Sequence, residues 1–452
     1  MTIETAAARL RAREVSAVEL AQDSLRRIRE EQPRLNAFIT VTEELALERA
    51  RRADEELARG IDRGPLHGIP YALKDVFDMC GVLTTYGSKI FADRVAEHDC
   101  AVYERLTEAG AVPMGKTGLH ELAYGITNDN PHFGAVRNPH DRERIAGGSS
   151  GGSGAAVAGG MVFFALGTDT GGSTRIPAAY CGCVGLKPTM GRVGRYGMMP
   201  LGFTLDHAGV LTRDARDAAL VLNAIAGFDR RDDSSSRRPV PDYLPASESS
   251  LNGRRVGVPE RFFSERLAPA VERGFADALR RAENLGARLV SVATPDPAEI
   301  NVIGRLILLA EASALMRPYL ERRSEFGPDV LALLDQGRLI SAADYIDAQR
   351  LRRLYQRSFA GVWERADVIF TATTPIEAPR VGQTTVVTGD AEEDVRLAST
   401  RLVRPFNVLG LPAISIPTMP GALPAGLQIV GKAFDEAEVL SVAARLFTAW
   451  AI

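Results

Sequence analysis

Residues Gly147 to Arg175 read GGSSGGSGAAVAGGMVFFALGTDTGGSTR, two glycine-serine clusters separated by a small-residue segment and an apolar run. No other stretch restricts the fold as strongly. Glycine adopts backbone conformations closed to other residues and lets a chain approach a ligand closely, so each cluster predicts a tight turn beside a binding space. Between them the pattern predicts a helix over AAVAGG and a buried strand over MVFFALGT. Both turns carry serines, and Ser149 and Ser173 stand out as two candidate nucleophiles.

The rest of the chain supplies an α/β setting. Ser16 is placed to cap the helix VELAQDSLRRIREEQ, and the first 60 residues read as a helical N-terminal layer. From residue 61 to 227, strand GIPYALKD, helix AVYERLTEAGA and strand AVPMG alternate up to the capped helix TRDARDAALVLNAIAG. Residues 228–250 are polar and rich in Ser and Pro, and predict a loop. A variable inserted lobe is expected over 228–365, holding the unit RRVGVP, PAVERGFADALRRAENLG and ARLVSV, then long helices around 296–320 and 341–365. Residues 366–452 return to the core, with strands DVIFTA, AISIP and GLQIV and a closing helix.

Composition excludes some function classes. A net charge of -3 over 452 residues calls for neither nucleic acid nor an acidic membrane, and no apolar run suggests a membrane span. Cys80, Cys100, Cys181 and Cys183 lack CxxC spacing, and MTIETAAARL lacks the apolar core of a secretory signal. A reduced, cytoplasmic protein is expected, with Cys181 and Cys183 as small buried residues. Among 54 basic residues only Lys74, Lys89, Lys116, Lys187 and Lys432 are lysines. Arginine cannot lose its proton in a protein, so a general base among these cations has to be a lysine.

Three separated motifs, GIPYALKD, GGSSGGSGAAVAGG and GTDTGGSTRIPAAYCGCVGLKP, resemble in their order the amidase signature family. PFNVLGLPAISIP and AGLQIVG extend the resemblance, which covers residues 64–211 and 366–450. It implies an α/β fold with a mixed central β-sheet flanked by helices on both faces, and hydrolysis of a carboxamide by a Ser-Ser-Lys triad. In this sequence the implied nucleophile is Ser173, the bridging serine after a cis peptide bond is Ser149, and the base is Lys74. No metal or organic cofactor is implied.

The residues permit that chemistry. A serine hydroxyl is a weak nucleophile until a base takes its proton; the six histidines, His67, His98, His120, His132, His140 and His207, all lie outside the two clusters and leave a distant histidine open as that base, and a neutral lysine is the other option. Lys74 follows an apolar strand that could bury it, and lowering its pKa from about 10.4 to near 7 takes about 4 kcal/mol, within reach of burial. Ser149 would relay the proton and later return it to the leaving amine. The amides of Thr170, Gly171, Gly172 and Ser173 can converge as an oxyanion hole. Asp169 reads as fixing this loop. Tyr124 and Arg175 are candidate substrate-binding residues, although Arg175 also suits pairing with nearby acids. Arg404 could face the site, with surface or interdomain pairing as the default, and Lys116 and Lys187 read as structural.

Other readings fail or remain open. GSSGG fits a GxSxG elbow with Ser150 as nucleophile, but the preceding DRERIAGG is charged where an elbow needs a strand. No lysine has a serine three positions before it, which removes an SxxK site. Within the family, FTLDHAG and ELAYGITNDNPHFG favour a stand-alone amidase. The alternative is the glutaminase subunit of a tRNA-dependent amidotransferase, and a third is a silent member acting in assembly. Expected partners are a small amide substrate and either a second copy or a small partner subunit, with no membrane and no direct nucleic-acid contact. Specificity is expected from residues 228–400, whose arginines could hold a carboxylated amide or solvate the surface.

Overall fold

The apolar runs converge on one sheet. The computed structural model describes residues 1–245, 250–419 and 421–450. Its main sheet has 11 strands, in the spatial order Phe38–Val41, Val112–Thr117, Pro70–Lys74, Phe164–Thr168, Ala208–Thr212, Val184–Lys187, Ala413–Thr418, Ala425–Val430, Val368–Ala372, Arg255–Pro259 and Arg288–Val292. Pro70–Lys74 runs parallel to both its neighbours, as does Arg255–Pro259, while the centre of the sheet is antiparallel. The sheet is therefore mixed, as the resemblance implies.

Register places the chemistry. Leu73 pairs with Leu166, and Lys74 with Thr117 on the other side, so Lys74 and Thr168 arrive at the same sheet edge. Helices Gly151–Ala158 and Arg175–Cys181 pack on each other beneath that edge. Their approach needs strands with little side chain. A Cβ on Gly209 would lie 2.1 Å from Thr174 Oγ1, and one on Gly185 would lie 2.6 Å from Ala178 Cβ. Helices Ala215–Ile225, Pro269–Asn284 and Glu436–Trp450 also flank the sheet and bury its apolar residues in the main core.

Several local expectations are refined by packing. Ser16 caps Ala17–Leu35 in a capping box with Glu19, but the N-terminal layer also contributes the edge strand Phe38–Val41. The helix expected over AAVAGG begins earlier, at Gly151. Glycine disfavours helix in isolation, yet a Cβ on Gly152 would stand 2.4 Å from the Gly118 nitrogen, so tertiary contact sets the composition there. Strands Arg255–Pro259 and Arg288–Val292 extend the central sheet instead of standing apart from it. The long helices run over Pro297–Met316 and Ala342–Ser358, with helix Pro328–Gly337 between them. A hairpin of Thr385–Thr388 and Ala391–Asp394 is not evident in the sequence pattern.

The described part of the 228–250 segment contains no helix or strand, and residues 246–249 lie outside the described residues. All four cysteines are free. Cys181 and Cys183 are buried, which pushes both thiols up, Cys183 to about 12. Among the described residues no helix is long and apolar enough to cross a membrane.

Candidate active site

Lys74 ends its strand with no exposure to solvent. Its Nζ donates to Ser149 Oγ at 2.7 Å and to Thr168 Oγ1 at 2.6 Å. Burial lowers its pKa to about 7, against the raising influence of the Asp206 and Asp169 carboxylates. A substantial neutral fraction therefore exists at neutral pH. The Gly148–Ser149 peptide is cis.

The two serine clusters are tied together through Ser150. Its amide donates to the Ser173 carbonyl at 3.2 Å, and its Oγ bridges the Thr168 amide at 3.1 Å and carbonyl at 3.2 Å. That hydroxyl serves as a bracket, which removes Ser150 as the alternative nucleophile. Ser173 is 5% exposed and lines a cavity.

The loop that carries Ser173 is wound around Asp169. Its carboxylate accepts the amides of Gly172 at 2.8 Å, Thr174 at 3.2 Å and Arg175 at 3.4 Å. Arg175 closes the arrangement. Its guanidinium donates to both Asp169 oxygens, at 2.9 and 2.8 Å, and to Val403 O, Gln428 Oε1 and Asn407 Oδ1 at 3.0, 2.6 and 2.7 Å. Burial alone would raise the Asp169 pKa, but the charge and hydrogen bonds of Arg175 outweigh it and hold the carboxyl well below its usual range.

Two expectations change as a result. Arg175 cannot bind substrate as placed, because all five of its N–H donors are consumed inside a fully buried network. The Gly172 amide is engaged by Asp169, which leaves those of Thr170, Gly171 and Ser173 without a protein acceptor among the described residues. Thr170 is anchored from its side chain, donating to Asp206 Oδ1 at 2.5 Å.

A partly open cavity beside Ser173 is lined by Thr170, Gly171, Tyr124 and Arg404, with leucines from helices Pro297–Met316 and Pro328–Gly337. The Tyr124 hydroxyl is buried and has no partner among the described residues, and burial pushes its pKa up. Of the two roles open to Arg404, the structure gives it the one facing the site: it is 8% exposed and belongs to the cavity wall. Arg305 and Arg396 line the same space.

Two further lysines are structural. Lys116 pairs with Asp75 at 2.7 Å and donates to Thr84 at 2.8 Å, all buried. Lys187 donates to the carbonyls of Leu411 and Pro188, and burial pulls its pKa well down. Sequence reasoning misses Thr168 and Asn407. The first directly precedes the DTGGS loop, and the second sits inside the PFNVLG motif, so proximity to these motifs is the available signal. Arg305 and Arg396 fall in the 228–400 region expected to set specificity, but nothing singles them out there, because arginine occurs throughout the solvated helices.

The amidase family model matches residues 19–440. The glutamyl-tRNA(Gln) amidotransferase A subunit of Carboxydothermus hydrogenoformans is 39% identical, covering 96% of this chain and 94% of its own length. A chain solved in work on a vestigial protein complex and the evolutionary origins of an s-triazine catabolic enzyme superimposes with a TM-score of 0.96 at 34% identity, covering 100% of this chain and 99% of the other. A crystal structure of an amidase gives a TM-score of 0.91 at 34% identity, with 99% and 100% covered. This chain belongs to the amidase signature family and is an enzyme of amide C–N hydrolysis.

Proposed function

We propose that the chain cleaves a small carboxamide through a covalent acyl-enzyme on Ser173. The observation that carries this reading is a fully buried lysine, 2.7 Å from Ser149 Oγ, with a pKa lowered to about 7. Ser173 Oγ attacks the carbonyl carbon while its proton passes through Ser149 Oγ to Lys74 Nζ. Thr168 accepts a hydrogen from Nζ and so turns the lysine lone pair toward Ser149. The amides of Thr170, Gly171 and Ser173 hold the oxyanion, each worth about 10²- to 10³-fold if removed. The tetrahedral intermediate collapses as Lys74 returns the proton through Ser149 to the departing nitrogen. Water then attacks the ester by the same relay, releasing the carboxylate and restoring Ser173.

Ser173→Ala tests the reading: turnover of amides should fall by about 10⁴- to 10⁶-fold with an unchanged melting curve. Survival of turnover in that variant would remove Ser173 from the mechanism.

Within this chemistry the choice of amide has two candidates. The sequence motifs favour a stand-alone amidase, whereas the curated relatives favour the second reading. Glutamyl-tRNA(Gln) amidotransferase A subunits align with nearly the whole chain at 39 to 40% identity. On that reading the amide is glutamine and the ammonia goes to a partner subunit. Activity of the isolated chain on simple amides supports the first; glutaminase activity that appears only with a copurifying partner supports the second. A cytoplasmic location, read from cysteine usage, accompanies both.

A further inference from the structure

The cavity beside Ser173 carries a charge imbalance that amide cleavage does not require. Arg305, Arg396 and Arg404 all line it, and none of the lining residues is acidic. Arg404 is 8% exposed; its Nη2 donates to Thr400 Oγ1 at 2.7 Å, while its buried Nε has no partner among the described residues. That Nε faces the catalytic loop, since a Cβ on Gly171 would stand 3.6 Å from it. A buried charged donor left unpaired is costly, and natural proteins retain one where something else completes it.

Of the other two guanidiniums, one has a neutral partner and the other a long, partly exposed ion pair. Arg305 donates to the neutral Gln336 Oε1 at 3.2 Å. Arg396 Nε lies 3.9 Å from Asp394, a half-exposed carboxylate, beyond hydrogen-bond distance. The three cations act on one another across the cavity. Burial, then the charges of Arg396 and Arg305, lower the Arg404 pKa to about 10, which leaves it charged at neutral pH. Leu308, Leu309 and Leu333 supply an apolar wall.

Resting on the serine-amidase reading above, we infer that the cavity takes an aliphatic amide that ends in a carboxylate and carries no ammonium group. Arg404 Nε receives the carboxylate, and Arg305 and Arg396 supply the attracting field. An ammonium group would meet three guanidiniums and no acid. Glutamine therefore fits less well than the same carbon chain without its amino group.

Calorimetric titration of the Ser173→Ala variant separates these features with three five-carbon amides: glutaramate, glutamine and pentanamide. They bear a carboxylate, a carboxylate with an ammonium, and neither. Glutaramate should bind at least about tenfold more tightly than either of the others, as one charge-assisted hydrogen bond provides. Arg305→Gln and Arg396→Gln, both at partly exposed side chains, should each weaken glutaramate by about tenfold and leave pentanamide unchanged. Equal or tighter binding of glutamine or pentanamide, no binding of any of the three, or equal weakening of glutaramate and pentanamide by the arginine changes would each overturn the inference. A fluorophosphonate on the unmodified enzyme separates the two levels. Labelling of Ser173 without the charge preference overturns only the carboxylate assignment, whereas no labelling overturns the serine-amidase reading.

Discussion

The floor and the roof of the site obey opposite rules. The floor, made of Lys74, Ser149, Thr168, Asp169 and Arg175, is almost wholly buried, and its polar side chains meet partners within the protein. The roof, made of Tyr124 and Arg404 with Arg305 and Arg396 beside them, leaves the Tyr124 hydroxyl and Arg404 Nε unpaired. Arg175 and Arg404 show the contrast within one residue type. One spends every donor on holding a loop and the other keeps a donor in reserve. The floor is thus organised before substrate arrives, as electrostatic catalysis demands, while the roof is completed only by a ligand.

The strongest way to break this contrast is to disable the floor's chemistry while sparing its shape. Lys74→Met keeps the buried volume and removes the base, so kcat/KM should fall by about 10³- to 10⁴-fold, near the upper end for general-base catalysis. In the unmodified enzyme, kcat/KM should rise about tenfold per pH unit up to about 7 and then level. The sign follows from Lys74 having to be neutral in the free enzyme, with a folded pKa lowered to about 7. A profile flat from about pH 5 to 9 would remove Lys74 from the role.

Arg175→Met attacks the floor's architecture. Removing one partner of a buried pair leaves Asp169 as an uncompensated charge and costs about 3 to 5 kcal/mol. The melting temperature and soluble yield should drop together, and activity should be lost with them. The equivalent change at Arg404 should cost far less, because it breaks only the Nη2–Thr400 Oγ1 hydrogen bond and leaves no buried charge without its partner. Equal destabilisation by both changes would erase the distinction between floor and roof.

Most of the floor is legible in the sequence, Thr168 excepted, and most of the roof is not, Tyr124 excepted, for a physical reason. Lys74, Ser149 and Ser173 sit in motifs whose glycines answer local demands for tight turns and close packing, so short stretches of sequence retain the imprint. The strands likewise show as short apolar runs between Gly and Pro. The roof is assembled from distant segments: Tyr124, Arg305 on helix Pro297–Met316, Arg396 on helix Val395–Thr400, and Arg404. Nothing local distinguishes Arg305 from the other arginines of a solvated helix, or Arg404 from a surface residue. Only the tertiary fold places them on one cavity. Arg175 fails in the other direction: adjacency to the nucleophile suggests substrate contact, but its partners at 403, 407 and 428 lie more than 200 residues away in sequence.

The smallest expected effect gives the cleanest discrimination, through two tyrosines. The Tyr124 hydroxyl has no partner, whereas that of Tyr180 shares a 2.8 Å hydrogen bond with Ser399 Oγ. Tyr180→Phe orphans a buried serine and should cost about 1 kcal/mol of stability. Tyr124→Phe removes a group that the protein leaves unsatisfied, so stability should stay level or rise by up to about 0.5 kcal/mol. Its effect belongs to the bound state instead. If the hydroxyl serves the substrate, kcat/KM falls by about 3- to 10-fold, the worth of one hydrogen bond. A Tyr124→Phe enzyme with unchanged kcat/KM and a lowered melting temperature would make Tyr124 an ordinary core residue, and would confine the ligand-completed roof to its arginines.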